Sequence, residues 1–236
     1  RVWLLGEPHH PRTARRRGGR RGVGVAQPRL RAGAEAVVAL PPYLSGGTPE
    51  EVRAYYEAIA ETAQRPVFLQ HTSGGLTASF MRDLFAEVEH ISYLKEEQMP
   101  SAHEISAVVK EVREGCLGVF GGGHGRWMLS ELRRGATGFM PAVEAVDIHV
   151  QIWDAFQAGD EARAREIFNA LLPQINLLLL LGLRVCKTIL VRRGVLGSSE
   201  MRTPGIVRLD AEDEYELEQV MANLDPYYKV KWMGTH

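Results

Sequence analysis

"TPEEVRAYYEAIAETAQ" (48–64), followed directly by "PVFLQH" (66–71), is the stretch that decides the fold. The first piece has a threonine suited to cap a helix, a proline at the first helical position and glutamates in the first turn. These features predict a helix start. The second piece has the length and apolar character of a buried strand. A helix that leads directly into a strand predicts one step of an alternating α/β chain.

The same alternation continues on both sides of this stretch. Strands are predicted in "VWLLG" (2–6), "EAVVALPPY" (35–43), "ISYLKEE" (91–97), "LGVFGGG" (117–123) and "TGFMPA" (137–142), and helices in "LTASFMRDLFAEV" (76–88), "SAHEISAVVKEVREG" (101–115) and "RWMLSELRRG" (126–135). We expect Ser101 to cap its helix. After residue 142 the pattern is helical. Repeated strands and helices predict parallel strands joined by crossover helices, so the fold class is α/β.

A chain of this kind forms either an open doubly wound sheet or a closed (β/α)8 barrel. A doubly wound nucleotide-binding domain normally has G-x-G-x-x-G after its first strand. The glycine cluster "FGGGHGRW" (120–127) lacks that spacing, and it also lacks the lysine and hydroxyl ending of a phosphate-binding loop. The sequence therefore favours the (β/α)8 TIM barrel.

Composition argues against several classes of function. Hydrophobic residues are 45% and charged residues 24% of the 236, and a net charge of -1 directs the chain to neither nucleic acid nor an anionic membrane. Cys116 and Cys186 give no disulfide framework, which fits a cytoplasmic setting. The apolar run at 177–183 is shorter than the ~20 residues that span a bilayer and predicts a buried helix. The histidines lack metal-ligand spacing such as H-E-x-x-H, so no metal is expected.

The segment "PRTARRRGGRRG" (11–22) does not fit the pattern, because it is rich in Arg and Gly and has no apolar periodicity. It could be an arm for nucleic acid or another polyanion. The alternatives are a solvated loop or a stretch that is not in the native reading frame. The rest of the chain has no matching basic face, so we interpret it as a flexible or aberrant insertion.

Polar groups follow the predicted strands, at the edge where the active site of a barrel lies. Among them, Lys95 is the candidate for covalent chemistry. Apolar neighbours disfavour the charged form of a half-buried lysine, and the neutral amine can attack a carbonyl to form a Schiff base. The alternative is a surface lysine that pairs with Glu96 or Glu97 and contributes little. The strand-end residues are Glu7, Tyr43, Gln70, His71, Lys95 and His124.

The order and spacing of several segments resemble the dihydrodipicolinate synthase / N-acetylneuraminate lyase family. The segments are "AEAVVALPPY", "RPVFLQH", "ISYLKEE", "LGVFGG", "RRGATGFMPA" and "AGDEARAREIFNALLPQIN", within residues 34–204. The resemblance implies a (β/α)8 barrel and a class I lyase or aldolase that forms a Schiff base with pyruvate, a related 2-oxo acid or a sugar acid. It also implies a homo-oligomer, a dimer or tetramer, without a cofactor. The imine-forming lysine of the family falls on Lys95.

The resemblance further implies a substrate pocket at the strand ends. The Gly-Glu pair after the first strand would lie near the substrate carboxylate, and the "GGGHG" and "GFMP" strand ends would close the pocket. The residues implied to bind substrate are Gly6, Glu7, Tyr43, Gln70, His124 and Met140.

The chain departs from the family in its hydroxyl groups. A threonine pair of the family is replaced by Leu4 and Leu5, the strand-end tyrosine that relays protons by Gln70, and an interface tyrosine by Leu44. A glutamine cannot exchange a proton near neutral pH, so the usual relay is absent. The second hypothesis is therefore a binding or regulatory protein that keeps the barrel without catalysis.

Two histidines could replace the relay, because histidine transfers protons near pH 7. His124 follows a predicted strand on a glycine-rich loop. His71 is adjacent to Gln70, but neighbours on a strand point to opposite faces. If Gln70 faces the site, His71 is expected to face the helix layer.

We predict a barrel domain with its C-terminal helices over residues 1–205, in which 11–33 is the aberrant or flexible segment, and a tail helix within 206–236. Chains of the family begin one βα unit before Arg1, and only "RGVGVAQ" (21–27) resembles a remnant of the third strand. We therefore expect either a barrel without its first unit, with unpaired strand edges, or a piece of a longer product.

Overall fold

The computed structural model describes residues 2–5, 33–42, 47–72, 76–112, 115–203 and 205–229. They form two compact units, the first within 1–122 and 130–140 and the second within 123–129 and 141–236. The first unit contains the sheet, and the second contains the C-terminal helices.

Within the part of the chain that the structure describes, six parallel strands form the sheet, and each pairs with the next one in the chain. They are β1 (Val2–Leu5), β2 (Ala36–Ala39), β3 (Val67–His71), β4 (Ile91–Glu96), β5 (Gly118–Gly121) and β6 (Gly138–Phe139). From β2 onward, the helices α1 (Pro49–Ala63), α2 (Ala78–Glu87), α3 (Ser101–Glu111) and α4 (Met128–Arg133) connect successive strands. Parallel strands in chain order with intervening helices are the pattern of a (β/α)8 barrel, which confirms the predicted fold class. The stretch 21–27 lies outside the described residues, and β1 pairs directly with β2.

One face of the sheet packs against the helices and forms the main core. Val37, Leu69 and Leu94 of the strands are fully buried there, as are Ile59 of α1 and Leu84 of α2. The apolar face of each amphipathic helix covers this side, as the helical spacing predicts.

The opposite face of the sheet carries a layer made by strand residues. The rings of Phe68 and Tyr93 stack with centroids 4.5 Å apart, and Phe120 meets both rings edge-on at 5.3 Å and 5.9 Å. Ala36, Val38 and Met140 complete this aromatic layer. It forms the interior side of the barrel wall, below the carboxyl ends of the strands.

A register shift between β3 and β4 decides which side chains of β4 face that interior. Val67 pairs with Ile91, but the next residue, Phe68, pairs with Tyr93. Ser92 is therefore an extra residue on β4 with no partner on β3 in this register. Because side chains alternate, one extra residue moves every later side chain to the other face. Ile91 accordingly packs in the helix-facing core, whereas Tyr93 belongs to the aromatic layer.

The predicted start of α1 is confirmed. Thr48 is the N-cap, its hydroxyl accepts from the Glu51 amide at 3.3 Å, and the Glu51 carboxylate accepts from the Thr48 amide at 2.9 Å. The expectation that Ser101 caps α3 is wrong, because Pro100 is the N-cap residue. The Ser101 hydroxyl instead donates to the Glu131 carboxylate, so a tertiary partner replaces the local one.

Replacing Thr48 with alanine removes one hydrogen bond of this reciprocal pair, the one from the Glu51 amide to the Thr48 hydroxyl. We expect the free energy of unfolding to fall by about 1 kcal/mol. Urea denaturation would measure it, with Thr62→Ala as the control in the same helix. The Thr62 hydroxyl only binds the Ala58 carbonyl one turn back, and alanine is the better helix former, so this control should lose nothing. Equal losses in both variants would contradict the capping role.

The second unit contains α5 (Val146–Gln157), α6 (Glu161–Leu181), α7 (Leu183–Arg192) and α8 (Ala211–Leu224). Helix α6 packs against the other three. The buried Arg193 guanidinium donates to the Glu144 carbonyl and the Asp147 carboxylate and lies 4.3 Å from the centre of the Tyr228 ring. This cation joins the start of α5 to the end of α7 and to the segment after α8.

By length and composition alone, α6 is apolar enough to cross a membrane. Residues along one side of it, including Ile167, Leu171 and Ile175, are nevertheless buried within the unit, as in a core helix. The expected buried run at 177–183 is confirmed for its first two residues. It is wrong for Leu179, Leu180 and Leu183, which are exposed. Leu179 and Leu180 lie in α6 but outside its buried side, and Leu183 follows the break at Gly182, where φ is 77°.

Candidate functional site

Lys95 lies near the carboxyl end of β4, in register with Gln70 of β3 and Phe120 of β5. The shift at Ser92 and the alternation of the strand place it on the same face as Tyr93, above the aromatic layer. Its side chain is only 15% exposed. Of the two alternatives that the sequence left open, Lys95 is therefore the interior, largely buried amine and not a lysine of the outer surface.

A carboxylate accompanies this amine. The Lys95 Nζ lies 3.0 Å from Glu97 Oε2, and the Glu97 side chain is itself only 21% exposed. The same oxygen accepts from Nε2 of the buried Gln70. The structure therefore contains the Glu97 pairing that the sequence left open as the alternative, but both side chains lie in the interior and not at the outer surface.

The space for Glu97 comes from a glycine on the neighbouring strand end. A Cβ atom on Gly122 would lie 2.3 Å from Glu97 Cγ and 2.4 Å from Glu97 Oε1. Any larger residue at 122 would displace the carboxylate. Gly122 therefore belongs to the site although it carries no functional group.

The opposite face of the same strand ends carries a buried, hydrogen-bonded pair of a histidine and a carboxyl group. His71 Nδ1 lies 2.9 Å from Glu96 Oε2, and the other oxygen of Glu96 accepts from the Gln98 amide at 2.7 Å. Burial raises the pKa of the Glu96 carboxyl group, and the hydrogen bond and charge of His71 oppose this effect. The prediction that His71 faces the helix layer is confirmed. Glu96 thus holds in place the backbone that follows Glu97.

Glu131 of α4 adds a third carboxyl group to this region of the first unit. It is 1% exposed, its Oε1 accepts from the Ser101 hydroxyl, and its Oε2 has no hydrogen-bond partner among the described residues. Burial, reinforced by the charges of Glu96 and Glu97 and opposed by the Ser101 hydrogen bond, raises its pKa to about 7. The Glu131 carboxyl group is therefore about half protonated at pH 7.

The remaining predicted site residues lie in different places. Met140 borders the aromatic layer, on the same face of the sheet as Gln70. His124 belongs to the second unit, where it adopts a left-handed conformation with a φ of 60° and its carbonyl oxygen lies 3.1 Å from His149 Nε2. Gly6, Glu7 and Tyr43 lie outside the described residues. Of the predicted site residues that are described, Lys95 and Gln70 meet at Glu97, and Met140 packs against the aromatic layer.

Sequence reasoning missed Glu97 and Glu131 as members of the site. The signal for Glu97 was available, because a residue two positions after Lys95 shares its face of an extended strand. No comparable signal marks Glu131, which lies in a short helix and meets Ser101 only through the fold.

The arrangement brings together an amine, a carboxylate that touches it and an amide that holds the carboxylate. An amine can add to a carbonyl, and a carboxylate in contact with it can move the proton that this addition requires. Among the described residues, no group of three or more His, Cys, Asp and Glu is arranged to hold a metal. A cleft of about 510 Å³ between α2 and α3 is lined by helix residues, none of which belongs to this site.

Fold and site together define an α/β barrel protein with a lysine at the carboxyl end of an interior strand. A model of the Dihydrodipicolinate synthetase family matches residues 20–224, so the chain belongs to this family. It is 29% identical over 203 residues to the 4-hydroxy-tetrahydrodipicolinate synthase of Bifidobacterium longum (strain DJO10A). This match covers 81% of this chain and 66% of that protein. It is also 28% identical over 204 residues to the L-2-keto-3-deoxyarabonate dehydratase of Azospirillum brasilense, over 82% of this chain and 65% of that protein.

A solved structure extends the likeness to the fold. The dihydrodipicolinate synthase of Rhodopseudomonas palustris superposes with a TM-score of 0.81 at 25% sequence identity, over 94% of this chain and 74% of that one. The chain spans just under two thirds of the length of the curated relatives it matches.

Proposed function

We propose that this chain carries the site of a Schiff-base-forming lyase or aldolase that acts on pyruvate, a related 2-oxo acid or a sugar acid. The observation that carries the proposal is the position of Lys95, on the interior face of β4 with a side chain that is 15% exposed. This is the strand end at which the sequence resembles the imine-forming lysine of the family. The 2-keto acid in the name of the Azospirillum relative supports the same class of substrate.

In this function the neutral Lys95 amine attacks the carbonyl carbon of the substrate, and loss of water gives an imine. The imine withdraws electrons from the adjacent carbon, so a bond to that carbon can be broken or formed. Gln70, which is 6% exposed and in register with Lys95, orients groups at the site through its amide. Met140 and the aromatic layer form the apolar floor, which excludes water from the reacting centre. We further propose a cytoplasmic homo-oligomer that needs no cofactor.

The test is reductive trapping with borohydride in the presence of pyruvate and a panel of 2-oxo acids, followed by peptide mass spectrometry. We expect one reduced adduct, located on Lys95. Lys110→Arg is the matched control, because Lys110 is an exposed lysine of α3 in the same unit. This control should give the same yield of the Lys95 adduct as the parent chain. An adduct spread over surface lysines, or none from folded protein, would refute the proposal.

A binding or regulatory protein is the second candidate, and Gln70 favours it. Where the family has a tyrosine that relays protons, this chain has an amide, which can bind but cannot serve as acid or base. Calorimetric binding of a 2-oxo acid, without trapping and without turnover, would support this candidate.

A further inference from the structure

We propose that Glu97 is the proton-transfer residue of the Lys95 site and takes over the task that the family assigns to the tyrosine at the position of Gln70. This inference rests on the proposed Schiff-base function. The observations behind it are the contacts that Glu97 makes with Lys95 and with Gln70.

The first argument is contact with the reacting atom. Glu97 Oε2 lies 3.0 Å from Lys95 Nζ, which is hydrogen-bond distance for a charged pair. Both side chains are less than a quarter exposed, so solvent does not separate them as it separates surface ion pairs. Among the described residues, Glu97 is the ionisable side chain paired with Lys95.

The second argument is the link to the position that lost its tyrosine. The Gln70 amide nitrogen donates to the same Oε2 atom that Lys95 contacts. A glutamine has no proton to exchange near neutral pH, but it can fix the direction of a carboxylate. Glu97, 27 residues after Gln70 and at the end of β4, can thus supply the acid–base group that β3 lacks. Gln70 acts as the positioning residue of the Glu97 carboxylate.

The third argument is that neighbouring residues leave space for the Glu97 carboxylate and fix the Glu97 backbone. Gly122 leaves the space that the carboxylate occupies, since a Cβ there would lie 2.3 Å from Glu97 Cγ. The backbone of Glu97 is held by its amide, which donates to the His71 carbonyl at 2.7 Å. Glu96 holds the next amide, of Gln98, at 2.7 Å. A carboxylate at the end of a strand would otherwise turn toward water, where the charge is best solvated.

The proton balance of imine formation closes with this one carboxylate. Glu97 first takes a proton from the Lys95 ammonium, and the neutral amine attacks the carbonyl carbon while the carboxylic acid protonates the carbonyl oxygen. Glu97 then removes a proton from the carbinolamine nitrogen and delivers it to the hydroxyl group, which leaves as water as the C=N bond forms. The products are a protonated imine, one water molecule and the Glu97 carboxylate, which remains beside the cation. No oxidant, reductant or further acid is required.

The experiment measures the rate of imine formation in single-turnover trapping with pyruvate, or with the 2-oxo acid that is trapped best. We expect Glu97→Gln to slow this rate by about 10²–10⁴-fold, the usual contribution of general acid–base catalysis. In Glu97→Ala, added formate should restore part of the rate in proportion to its concentration, because a small carboxylic acid can occupy the vacated space. A residue that only supports the structure would not respond to formate.

Two further variants complete the test. Glu89→Gln removes an exposed carboxylate from the turn before β4 and should leave the rate unchanged. Gly122→Ala should slow imine formation by displacing the Glu97 carboxylate, and adding it to Glu97→Gln should cause no further loss. Two results would overturn the role of Glu97 and leave the proposed function standing. One is imine formation as fast in Glu97→Gln as in the parent chain, and the other is an additional loss when Gly122→Ala is combined with Glu97→Gln. Absence of any trapped adduct in the parent chain would overturn the proposed function, and the role of Glu97 with it.

Discussion

Replacing Lys95 with alanine is expected to abolish the trapped adduct and to lower the turnover of any 2-oxo acid substrate by at least about 10³-fold. The amine is the nucleophile, so its removal eliminates the covalent route and does not merely slow it. Mass spectrometry after borohydride reduction measures the first effect, and steady-state kinetics measures the second.

Two controls separate chemistry from folding in the Lys95 experiment. Lys95→Ala leaves Glu97 bound to Gln70, so circular dichroism and the thermal midpoint should stay close to those of the parent chain. Lys187→Ala, in which a partly buried lysine of α7 loses its contact with the Glu200 carbonyl, should keep full turnover. Turnover that survives in folded Lys95→Ala would show that Lys95 does not act as the nucleophile.

The buried Glu131 carboxyl group should make the stability of the chain depend on pH. Its pKa rises from 4.5 to about 7 on folding, so the folded state binds this proton more tightly than the unfolded state does. The folded state is therefore favoured at acid pH, and this advantage is lost as the pH rises from about 4.5 to about 7. The difference corresponds to about 3 kcal/mol, of which about 2.5 kcal/mol falls between pH 5 and pH 8.

Urea denaturation of the parent chain and of Glu131→Gln at pH 5 and pH 8 would measure this effect. Between the two values the parent chain should lose about 2 to 3 kcal/mol more than the variant, because glutamine carries no charge to bury. Glu111→Gln is the control, since this carboxylate is 44% exposed and pairs only loosely with Arg82 at 3.7 Å. It should behave as the parent chain does. Parallel losses in the parent chain and in Glu131→Gln would contradict the assignment.

The class of fold could be predicted from the sequence because its signals are local. The cap at Thr48, the apolar runs of β3 and β4 and the helical spacing between them each depend on residues within one or two turns of each other. The outward direction of His71 was predictable for the same reason, since it follows from alternation along one strand. The cap assigned to Ser101 was wrong because its partner, Glu131, is 30 residues away.

The candidate site was predictable only in part. Lys95 was proposed because it ends an apolar run and because the surrounding segments resemble the family at this position. Glu97 was considered only as a surface partner of Lys95, since nothing local places Gln70 and Gly122 beside it. Only the pairing of β3 with β4 and of β4 with β5 gives this carboxylate its partners.

The sequence by itself determined the alternation of strands and helices, the position of Lys95 at a strand end and the loss of hydroxyl groups from the expected relay. Tertiary structure alone decided that Lys95 faces the interior. Strict alternation from the buried Ile91 would turn Lys95 toward the helices, and the extra residue Ser92 in the pairing with β3 reverses this. The physical reason is that the face of a strand residue depends on register, which is a property of two strands and is not encoded in either one alone.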